Sequence, residues 1–382
     1  MLKNLHIKDY DFKLIFLLIC INTIGVFAVK SANPANYSKQ LLGFIFGLCI
    51  MTVISFFDYK VLLKFYWLCY FATVGLLIAV KIAGSSANNA VRWFTIFGIR
   101  FQPSELAKIL LIIFFAQFIM KYKDRINTVR FIFSFLLLAL IPMYLIFDQP
   151  DLSTTIVVFI ILASIIFVAG LSWKIILGIF VVAVPSAIIF LSVILKEGQT
   201  LINDYQRRRV LSFFYPEKFV DDAYQQTNSV IAIGSGGLVG KGFNNDMINS
   251  LKNGNFIIEP DTDFIFAVIG EELGFIGSIT VVILLFLIVL ECLLIARRAN
   301  DVAGRVIATG MAALIGFQSF FNIGVATFLL PNTGLTLPFV SYGLTSLMSL
   351  YIGMGFVLNV RFRSHSGRER GEGATKLEDY NI

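Results

Sequence analysis

The sequence predicts an all-α polytopic membrane protein with about ten transmembrane helices and a large extracytoplasmic loop between spans seven and eight. Of its 382 residues, 57% are hydrophobic and only 14% are charged, whereas a soluble domain carries about 25% charge. The mean hydropathy is +0.82. Ten apolar runs approach or exceed the roughly 17 to 25 residues that a helix needs to cross a hydrocarbon core.

The ten predicted spans follow one another along the chain at 13–30, 40–57, 61–82, 104–121, 130–147, 153–170, 173–195, 265–296, 303–327 and 341–360. The eighth run is too long for one straight crossing. We therefore predict a bend near Gly274 or Gly277 that separates a short entry helix from the span proper.

Basic residues in the short loops predict the orientation. They are concentrated after spans four, eight and ten, at Lys121, Lys123, Arg125, Arg130, Arg297, Arg298, Arg305, Arg361 and Arg363. By the positive-inside rule these segments face the cytoplasm. Both termini are then cytoplasmic, and the outer segments are 83–103, 148–152, 196–262 and 328–340.

One transmembrane domain is predicted over residues 1–363, with 196–262 as its large outer loop. The polar segment 364–382 is predicted to be a disordered cytoplasmic tail. The net charge of +7 comes largely from the cytoplasmic segments, so it favours contact with anionic membrane lipids and argues against nucleic acid.

The segment Glu259–Gly274, EPDTDFIFAVIGEELG, places five carboxylates beside or within the eighth span. A charge near hydrocarbon costs roughly 2.5 to 3.5 kcal/mol, so such residues usually face a cavity, a partner or a substrate. The chain's two histidines, His6 and His365, lie in the terminal segments. This excludes a His-activated nucleophile and leaves carboxylates, Lys, Tyr or water for acid–base chemistry.

Six blocks carry a family resemblance. In chain order they are RWFTIFGIRFQPSELAK (Arg92–Lys108), QPDLSTT (Gln149–Thr155), YQRRRV (Tyr205–Val210), AIGSGGLVGKG (Ala232–Gly242), TDFIFAVIGEELG (Thr262–Gly274) and NIGVATFLLPNTGLTLPFVSYG (Asn322–Gly343). They cover nearly the whole chain, which resembles the SEDS family, the group of RodA, FtsW and SpoVE.

The resemblance implies a peptidoglycan glycosyltransferase of the bacterial cytoplasmic membrane, with its active site at the outer face. Its substrates would be lipid II and undecaprenyl-linked glycan, and its partner a class B penicillin-binding protein that crosslinks the strand. Four departures from the family pattern leave elongation, division and sporulation open as roles: Asn89, Ser153, Phe328 and the pair Leu344-Thr345.

Asp263 matches the family's essential Asp. A positioned carboxylate can act as the general base for a sugar hydroxyl; the alternative is a helix N-cap. Glu259 and Asp261 are candidates to raise the pKa of Asp263 by like-charge proximity, and Asp263 with Glu259 is a candidate site for a divalent cation. The alternative for both loop acids is simple solvation. Glu271 and Glu272 are expected to pair with basic residues.

Several further residues are candidates for substrate binding. Arg92, Arg209 and Lys241 could grip the departing pyrophosphate, although outer-face arginines also anchor helix ends. Trp93 could stack on a sugar or belong to the interfacial aromatic belt.

The remaining candidates lie at span ends. Glu105 and Lys108 can pair one turn apart, either as a structural pair or as the lining of a cavity. Asp151 is expected to cap the sixth span, with support of the active site as the alternative. Ser341, which lies in the last of the six blocks, is a further candidate for substrate binding.

Two other functions compete with the transferase. A lipid II flippase would use Glu105, Lys108 and Glu271 as a polar path, and a scaffold for cell-wall synthases would need no chemistry. Polar residues gather at the outer boundary rather than spreading through the bilayer, which favours the transferase.

Overall fold

The computed structural model describes residues 10–87, 90–96, 99–196, 202–243 and 259–378. Its elements are α1 (Phe12–Ala32), α2 (Pro34–Phe56), α3 (Tyr59–Leu63), α4 (Tyr66–Ala83), β1 (Ser85–Ala87), β2 (Ala90–Ile96), β3 (Ile99–Phe101), α5 (Pro103–Lys121), a 3-10 turn (Lys123–Arg125), α6 (Val129–Asp148), α7 (Leu152–Val168), α8 (Trp173–Leu195), α9 (Asp204–Phe214), α10 (Val220–Ser235), α11 (Ile265–Arg298), α12 (Val302–Ala326) and α13 (Leu344–Glu378). The predicted all-α membrane fold is confirmed.

Among the described residues, eight helices are long and apolar enough to cross a membrane, namely α1, α2, α4, α5, α6, α11, α12 and the first part of α13. The apolar α7 has 17 residues, and α8 has 23. All ten coincide with predicted spans, while the count of ten crossings stays a prediction. So does the disordered tail, although α13 continues past residue 363 to Glu378.

The third predicted span is wrong at its start. Instead of one helix over 61–82, the short α3 begins after Asp58, whose side chain accepts a hydrogen bond from Lys60 N, and α4 begins at Tyr66. Asn359 Oδ1 accepts from Tyr59 N at 3.1 Å. This buried tertiary contact holds the α3 turn against α13 in a way that hydropathy does not reveal.

The segment between α4 and α5 contains a small antiparallel sheet, which the hydropathy pattern does not predict. The strand order is β1-β2-β3, with Trp93 opposite Ser85 and Thr95 opposite Arg100. β2 is rich in the β-branched and aromatic residues that favour strands. Because Arg92 lies in β2, the sheet fixes the backbone position from which its side chain extends.

Helices α5 and α12 form the centre of the bundle. They contact each other, and both contact α7 and α13. In the most apolar stretch of each helix, 78% of the residues of α5 and 72% of those of α12 are buried, compared with 28% in α2 and in α6. The polar side chains of α5 and α12 are therefore held between helices rather than against lipid.

The predicted bend in α11 is confirmed at Gly274, which has φ 63° and ψ −158°. A break frees backbone groups that need other partners inside a membrane protein. The glycine-rich segment 236–242 supplies them: Lys241 N and Gly242 N donate to the carbonyls of Glu271 and Glu272 at 3.0 and 3.1 Å. In return, Phe275 N and Ile276 N donate to the carbonyls of residues 237 and 238 at 2.9 and 3.1 Å.

An irregular segment, 327–343, joins α12 to α13. Gly334 has a positive φ of 72°. Amide side chains from neighbouring helices bind its carbonyls: Asn322 reaches Leu335 O at 2.7 Å, Gln318 reaches Thr336 O at 3.0 Å and Gln226 reaches Leu330 O at 2.9 Å. Irregular backbone among membrane helices persists when protein groups satisfy it in this way.

Candidate active site

Asp263 lies in the turn immediately before α11. Phe264 occupies the N-cap position, and no side chain caps this helix end, so the helix-capping role weighed for Asp263 is not observed. The turn itself is held at three points. Asn322 Nδ2 donates to Asp263 O at 2.8 Å, Ser341 Oγ donates to Thr262 O at 2.6 Å, and Tyr342 N donates to Asp261 O at 2.8 Å.

Arg209 of α9 lies beside the carboxylate of Asp263. A Cβ placed on Gly334 would sit 3.4 Å from Asp263 Oδ2 and 3.2 Å from Arg209 Nη1, so the two side chains converge on the same glycine. The guanidinium of Arg209 also hydrogen-bonds to the hydroxyl of Tyr205 and lies 4.5 Å from the centre of that ring. Tyr205 thereby orients Arg209.

The environment raises the pKa of Asp263 to about 6. Burial is the largest cause, because it penalises the charged form, and the carboxylate of Glu259 adds like-charge repulsion. Arg209 and Arg92 act in the opposite direction. A carboxylate with this pKa is largely ionised at neutral pH and still basic enough to accept a proton.

Arg92 and Arg209 line a cavity of about 220 Å³. The other lining residues are Pro150, Asp151, Leu152, Ser153, Ile156, Tyr205, Gln206, Val210, Phe321, Leu330, Pro331, Asn332 and Thr333. Arg92 is held by the carbonyls of Gln149, at 2.8 Å from its Nε, and of Pro150. Both guanidinium groups are therefore placed before any ligand arrives.

Asp151 caps α7, as predicted, by accepting a hydrogen bond from Thr154 N at 3.1 Å. Its second oxygen lies 3.4 Å from Gln102 Nε2. Asp151 therefore combines the capping of α7 with a place in the cavity lining that it shares with the two arginines.

The two other loop acids differ. Asp261 is buried and accepts hydrogen bonds from Asn36 and Asn33 at 2.8 and 3.4 Å, so the expectation of a solvated acid is wrong for it. Glu259 is exposed and lies 3.3 Å from Thr262 Oγ1. Asp261 anchors the turn, and both acids raise the pKa of Asp263 through their like charge, Glu259 more than Asp261.

The described residues contain no group of three His, Cys, Asp or Glu side chains that could hold a metal ion. Asp263 and Glu259 alone are a short ligand set for a hard cation, which takes six or more oxygens. A divalent cation at this pair stays a prediction.

Other candidates lie outside the cavity lining. Lys241 Nζ pairs with Glu271 Oε1 at 2.7 Å, and Ser31 Oγ hydrogen-bonds to Glu272. The expected basic partner is thus found for Glu271, and both acids stabilise the break in α11. Trp93 is half-buried in β2. Ser341 positions Asp263 through the backbone of Thr262, and its Oγ also accepts from Leu337 N at 2.8 Å.

Glu105 and Lys108 form a buried pair within α5. Lys108 Nζ lies 2.7 Å from Glu105 Oε1 and 2.9 Å from Gln318 Oε1, and the two residues are only 7% and 2% exposed. Gln318 in turn holds the carbonyl of Thr336 in the 327–343 segment. The pair therefore supports the site from inside the bundle.

Removing the positive charge of this pair is expected to destabilise the fold. Lys108→Met leaves the buried carboxylate of Glu105 without its counter-charge, at a cost of about 3–5 kcal/mol, the usual result of removing one partner of a buried ion pair. Thermal unfolding in detergent should show a lower Tm, and the double variant Glu105→Gln/Lys108→Met should recover most of it. An unchanged Tm with lost activity would argue instead for direct substrate contact.

Sequence reasoning missed Tyr205, Gln206, Asn332, Thr333 and Asn322 as site residues. All five lie within blocks already singled out, but their roles depend on which side chains they meet. The sequence signal for a cavity here is the interruption of the hydrophobic pattern by Pro331, Gly334 and Pro338, because irregular backbone at membrane depth persists where protein or a cavity satisfies it.

Fold and site together define a multi-pass membrane protein with an acid–arginine centre where α7, α9, α11 and α12 meet. The family model described as a cell cycle protein, covering FtsW, RodA and SpoVE, matches residues 11–366. The chain belongs to this family.

Individual relatives agree. The peptidoglycan glycosyltransferase MrdB of Escherichia coli strain K12 is 33% identical over 358 residues, 94% of each chain. The probable peptidoglycan glycosyltransferase FtsW of Bacillus subtilis strain 168 is 33% identical over 383 residues, covering 94% of this chain and 92% of the relative.

Two solved structures share the fold. A chain from a structure on the coordination of polymerization and crosslinking by a peptidoglycan synthase complex superposes with a TM-score of 0.76 at 29% identity, covering 93% of this chain and 98% of the other. The rod shape determining protein RodA of Thermus thermophilus gives 0.66 at 28% identity, with coverage of 92% and 96%.

Proposed function

We propose that this protein is a peptidoglycan glycosyltransferase that polymerises lipid II in the bacterial cytoplasmic membrane. The observation that carries the proposal is the convergence of Asp263 and Arg209 on Gly334, with Arg92 lining the same cavity as Arg209. The site thus joins a carboxylate with a pKa near neutrality to two fixed guanidinium groups. Its family relatives carry the name of this activity.

The reaction assigns a role to each charge. The 4-hydroxyl of an acceptor GlcNAc attacks C1 of a donor MurNAc and gives its proton to Asp263. The bond from C1 to the phosphate oxygen breaks, so that undecaprenyl pyrophosphate leaves and the configuration at C1 inverts. Arg209 and Arg92 stabilise the negative charge that develops on the leaving group, because guanidinium groups bind phosphate oxygens in pairs.

The wider setting follows from the same proposal. A class B penicillin-binding protein would crosslink the strand that this chain makes, as the likeness to a chain of a peptidoglycan synthase complex supports. The basic loops would face the cytoplasm and the acid–arginine centre the outer side, where lipid II presents its sugars. Membrane lipids surround the remaining helices.

Polymerisation by the purified protein tests the proposal. Lipid II should be converted into glycan strands, visible on gels, by this chain together with a class B penicillin-binding protein whose transpeptidase is blocked. Translocation of lipid II across liposomes with no glycan formed would support the flippase instead. The locked pairs Lys108–Glu105 and Lys241–Glu271 give that alternative no open polar path among the described residues.

The rate of polymerisation should rise with pH around the pKa of Asp263. Because the base must be deprotonated, the rate is expected to increase about tenfold per unit below pH 6 and to level off above about pH 7. Glu259→Gln removes a like charge and therefore lowers the pKa of Asp263, so the midpoint should move to lower pH. Initial rates between pH 5 and 8 give the profile, and a flat profile would contradict this role.

Arg209→Gln should lower kcat/KM for lipid II by about tenfold to a hundredfold, since hydrogen bonds to charged groups contribute about 1.5–3 kcal/mol. The adjacent Arg208 provides a matched control. It is an exposed residue that pairs with Asp222 at 2.9 Å, so Arg208→Gln should change the rate less than about threefold. Equal losses in the two variants would show that Arg209 has no special contact with the leaving group.

A further inference from the structure

Phe328 has an unusual backbone conformation just after α12. Thr327 is the C-cap of the helix, and Phe328 follows with a positive φ of 58°. Two backbone hydrogen bonds close the turn: Phe328 N donates to Val325 O at 3.1 Å, and Leu329 N donates to Gly324 O at 2.7 Å. This is a Schellman motif, whose left-handed position is usually glycine because a Cβ there is strained. Glycine would make the same turn without strain, so the turn does not account for the phenyl ring.

The ring of Phe328 stacks on the ring of Phe213 in α9. The two ring centres lie 5.8 Å apart, and the ring planes are inclined by 26°. One aromatic pair contributes an amount of stability comparable to the cost of one left-handed residue, so stability alone gives little reason for a ring at this turn. Neither ring belongs to the described lining of the cavity, so direct binding of a group held there is not the role of the pair.

Phe213 shares one face of α9 with Tyr205 and Arg209. The three residues follow one another at intervals of four, which places them in a single row along a helix. Tyr205 orients the guanidinium of Arg209. This row meets the segment between α12 and α13 at two points, because Arg209 lies beside Gly334 and Phe213 stacks on Phe328. The docking of Phe213 therefore affects the face that carries the arginine.

Two other arginines attach α9 on its remaining sides. Arg207 Nε donates to Ile194 O at 3.1 Å at the end of α8, and Arg208 Nε pairs with Asp222 of α10 at 2.9 Å. These contacts hold the helix to its neighbours in the chain, whereas the aromatic stack holds it to the segment beside the catalytic turn. Because Phe213 lies one turn from Arg209, a change in the stack moves the guanidinium relative to the site.

We infer that Phe328 is a positioning residue, whose ring holds Phe213 and thereby sets the place of Arg209 beside Asp263. The inference rests on the proposed function and adds to it a residue that controls the leaving-group arginine from outside the cavity. The strained backbone at Phe328 is what places a ring, rather than a glycine, against α9 at this turn.

Phe328→Gly removes the ring and keeps the turn, because glycine adopts a positive φ freely. Initial rates of glycan formation should show kcat/KM for lipid II lowered about threefold to tenfold, the range of one aromatic pair. The loss should fall mainly on kcat, since Arg209 acts on charge that develops in the transition state. The Tm in detergent should change little, because relief of the strain offsets the lost stack.

The same substitution in two arginine variants distinguishes positioning from a general loss of packing. In the Arg209→Gln background, Phe328→Gly should lower kcat/KM by less than about twofold further, because residues that act as one unit are not additive. In the Arg208→Gln background the full loss should appear. Equal losses in all three backgrounds would overturn the inference, and so would the absence of any loss in the wild type.

Phe213→Leu tests the stack from the side of α9 and replaces Phe328→Gly if that variant does not fold. It should give a similar loss of kcat/KM with the same dependence on Arg209. Phe214 is the matched control, since it is the next residue and is 45% exposed; Phe214→Leu should change the rate less than about twofold. Equal losses for the two variants would show that the stack has no special role.

The outcomes also separate this inference from the function on which it rests. Full activity of Phe328→Gly and of Phe213→Leu, with Asp263→Asn inactive, would overturn the positioning role and leave the transferase intact. The absence of glycan from the wild-type protein would instead overturn the proposed function.

Discussion

Asp263→Asn is expected to reduce polymerisation of lipid II by about 10² to 10⁴-fold, the usual contribution of a general base. The substitution keeps the shape of the side chain and removes its capacity to accept a proton. None of the other acids described around the site is placed to replace it, since Asp151 is engaged by Thr154 N and Gln102. Asp261 is engaged by Asn36 and Asn33, and Glu259 lies exposed in the preceding loop.

The stability of this variant distinguishes lost chemistry from lost structure. Burial disfavours the charged form of Asp263, and the turn that carries it is held through backbone groups by Asn322 and Ser341. A neutral amide therefore removes a desolvation penalty, and the Tm should stay the same or rise. Glu259→Gln is the companion control, because it alters the field at Asp263 but leaves the base, and it should retain most activity at pH 7.5.

Most of the fold could be predicted because hydrocarbon imposes a length and a composition on each crossing. Even the break in α11 could be inferred, since its apolar run exceeds one crossing and contains glycine at the right depth. The sheet before α5 and the separate α3 could not. They depend on short-range strand pairing and on single contacts such as that of Tyr59 with Asn359. The hydropathy pattern contains no information about such contacts.

Some features of the site could likewise be predicted from the sequence, and others could not. The cost of charge at a membrane boundary drew attention to five carboxylates, and the family resemblance singled out Asp263 among them. Arg92, Arg209 and Asp151 lie in matched blocks, and the structure brings these three to one cavity, while their roles in the reaction stay predictions. Lys241 has the same type and a similar position in the sequence, yet the break in α11 places it against Glu271. Choosing between a substrate cation and a structural one requires knowing which carboxylate lies within reach.

The glycine-rich segment after α10 provides the largest structural effect we expect. Gly240→Ala should destabilise the protein by about 3–5 kcal/mol, combining the strain of a left-handed backbone with overpacking. Gly240 has φ +81°, and an added Cβ would lie 2.0 Å from Glu272 O and 2.6 Å from Leu273 N. These are backbone atoms, which cannot rotate away as a flexible side chain can.

Gly237→Ala separates the clash from the strain. Gly237 has φ +56°, and no described atom lies within 4 Å of its added Cβ, so only the left-handed backbone contributes, at about 1–2 kcal/mol. Thermal unfolding in detergent should rank the wild type above Gly237→Ala and Gly237→Ala well above Gly240→Ala. Because the hydrogen bonds of this segment satisfy the break in α11, and α11 begins two residues after Asp263, loosening it should also displace the base. If the Gly240→Ala protein folds, its activity should therefore fall more steeply with temperature than that of the Gly237→Ala protein. Equal Tm values for the two variants would mean that the segment does not pack against the break in α11.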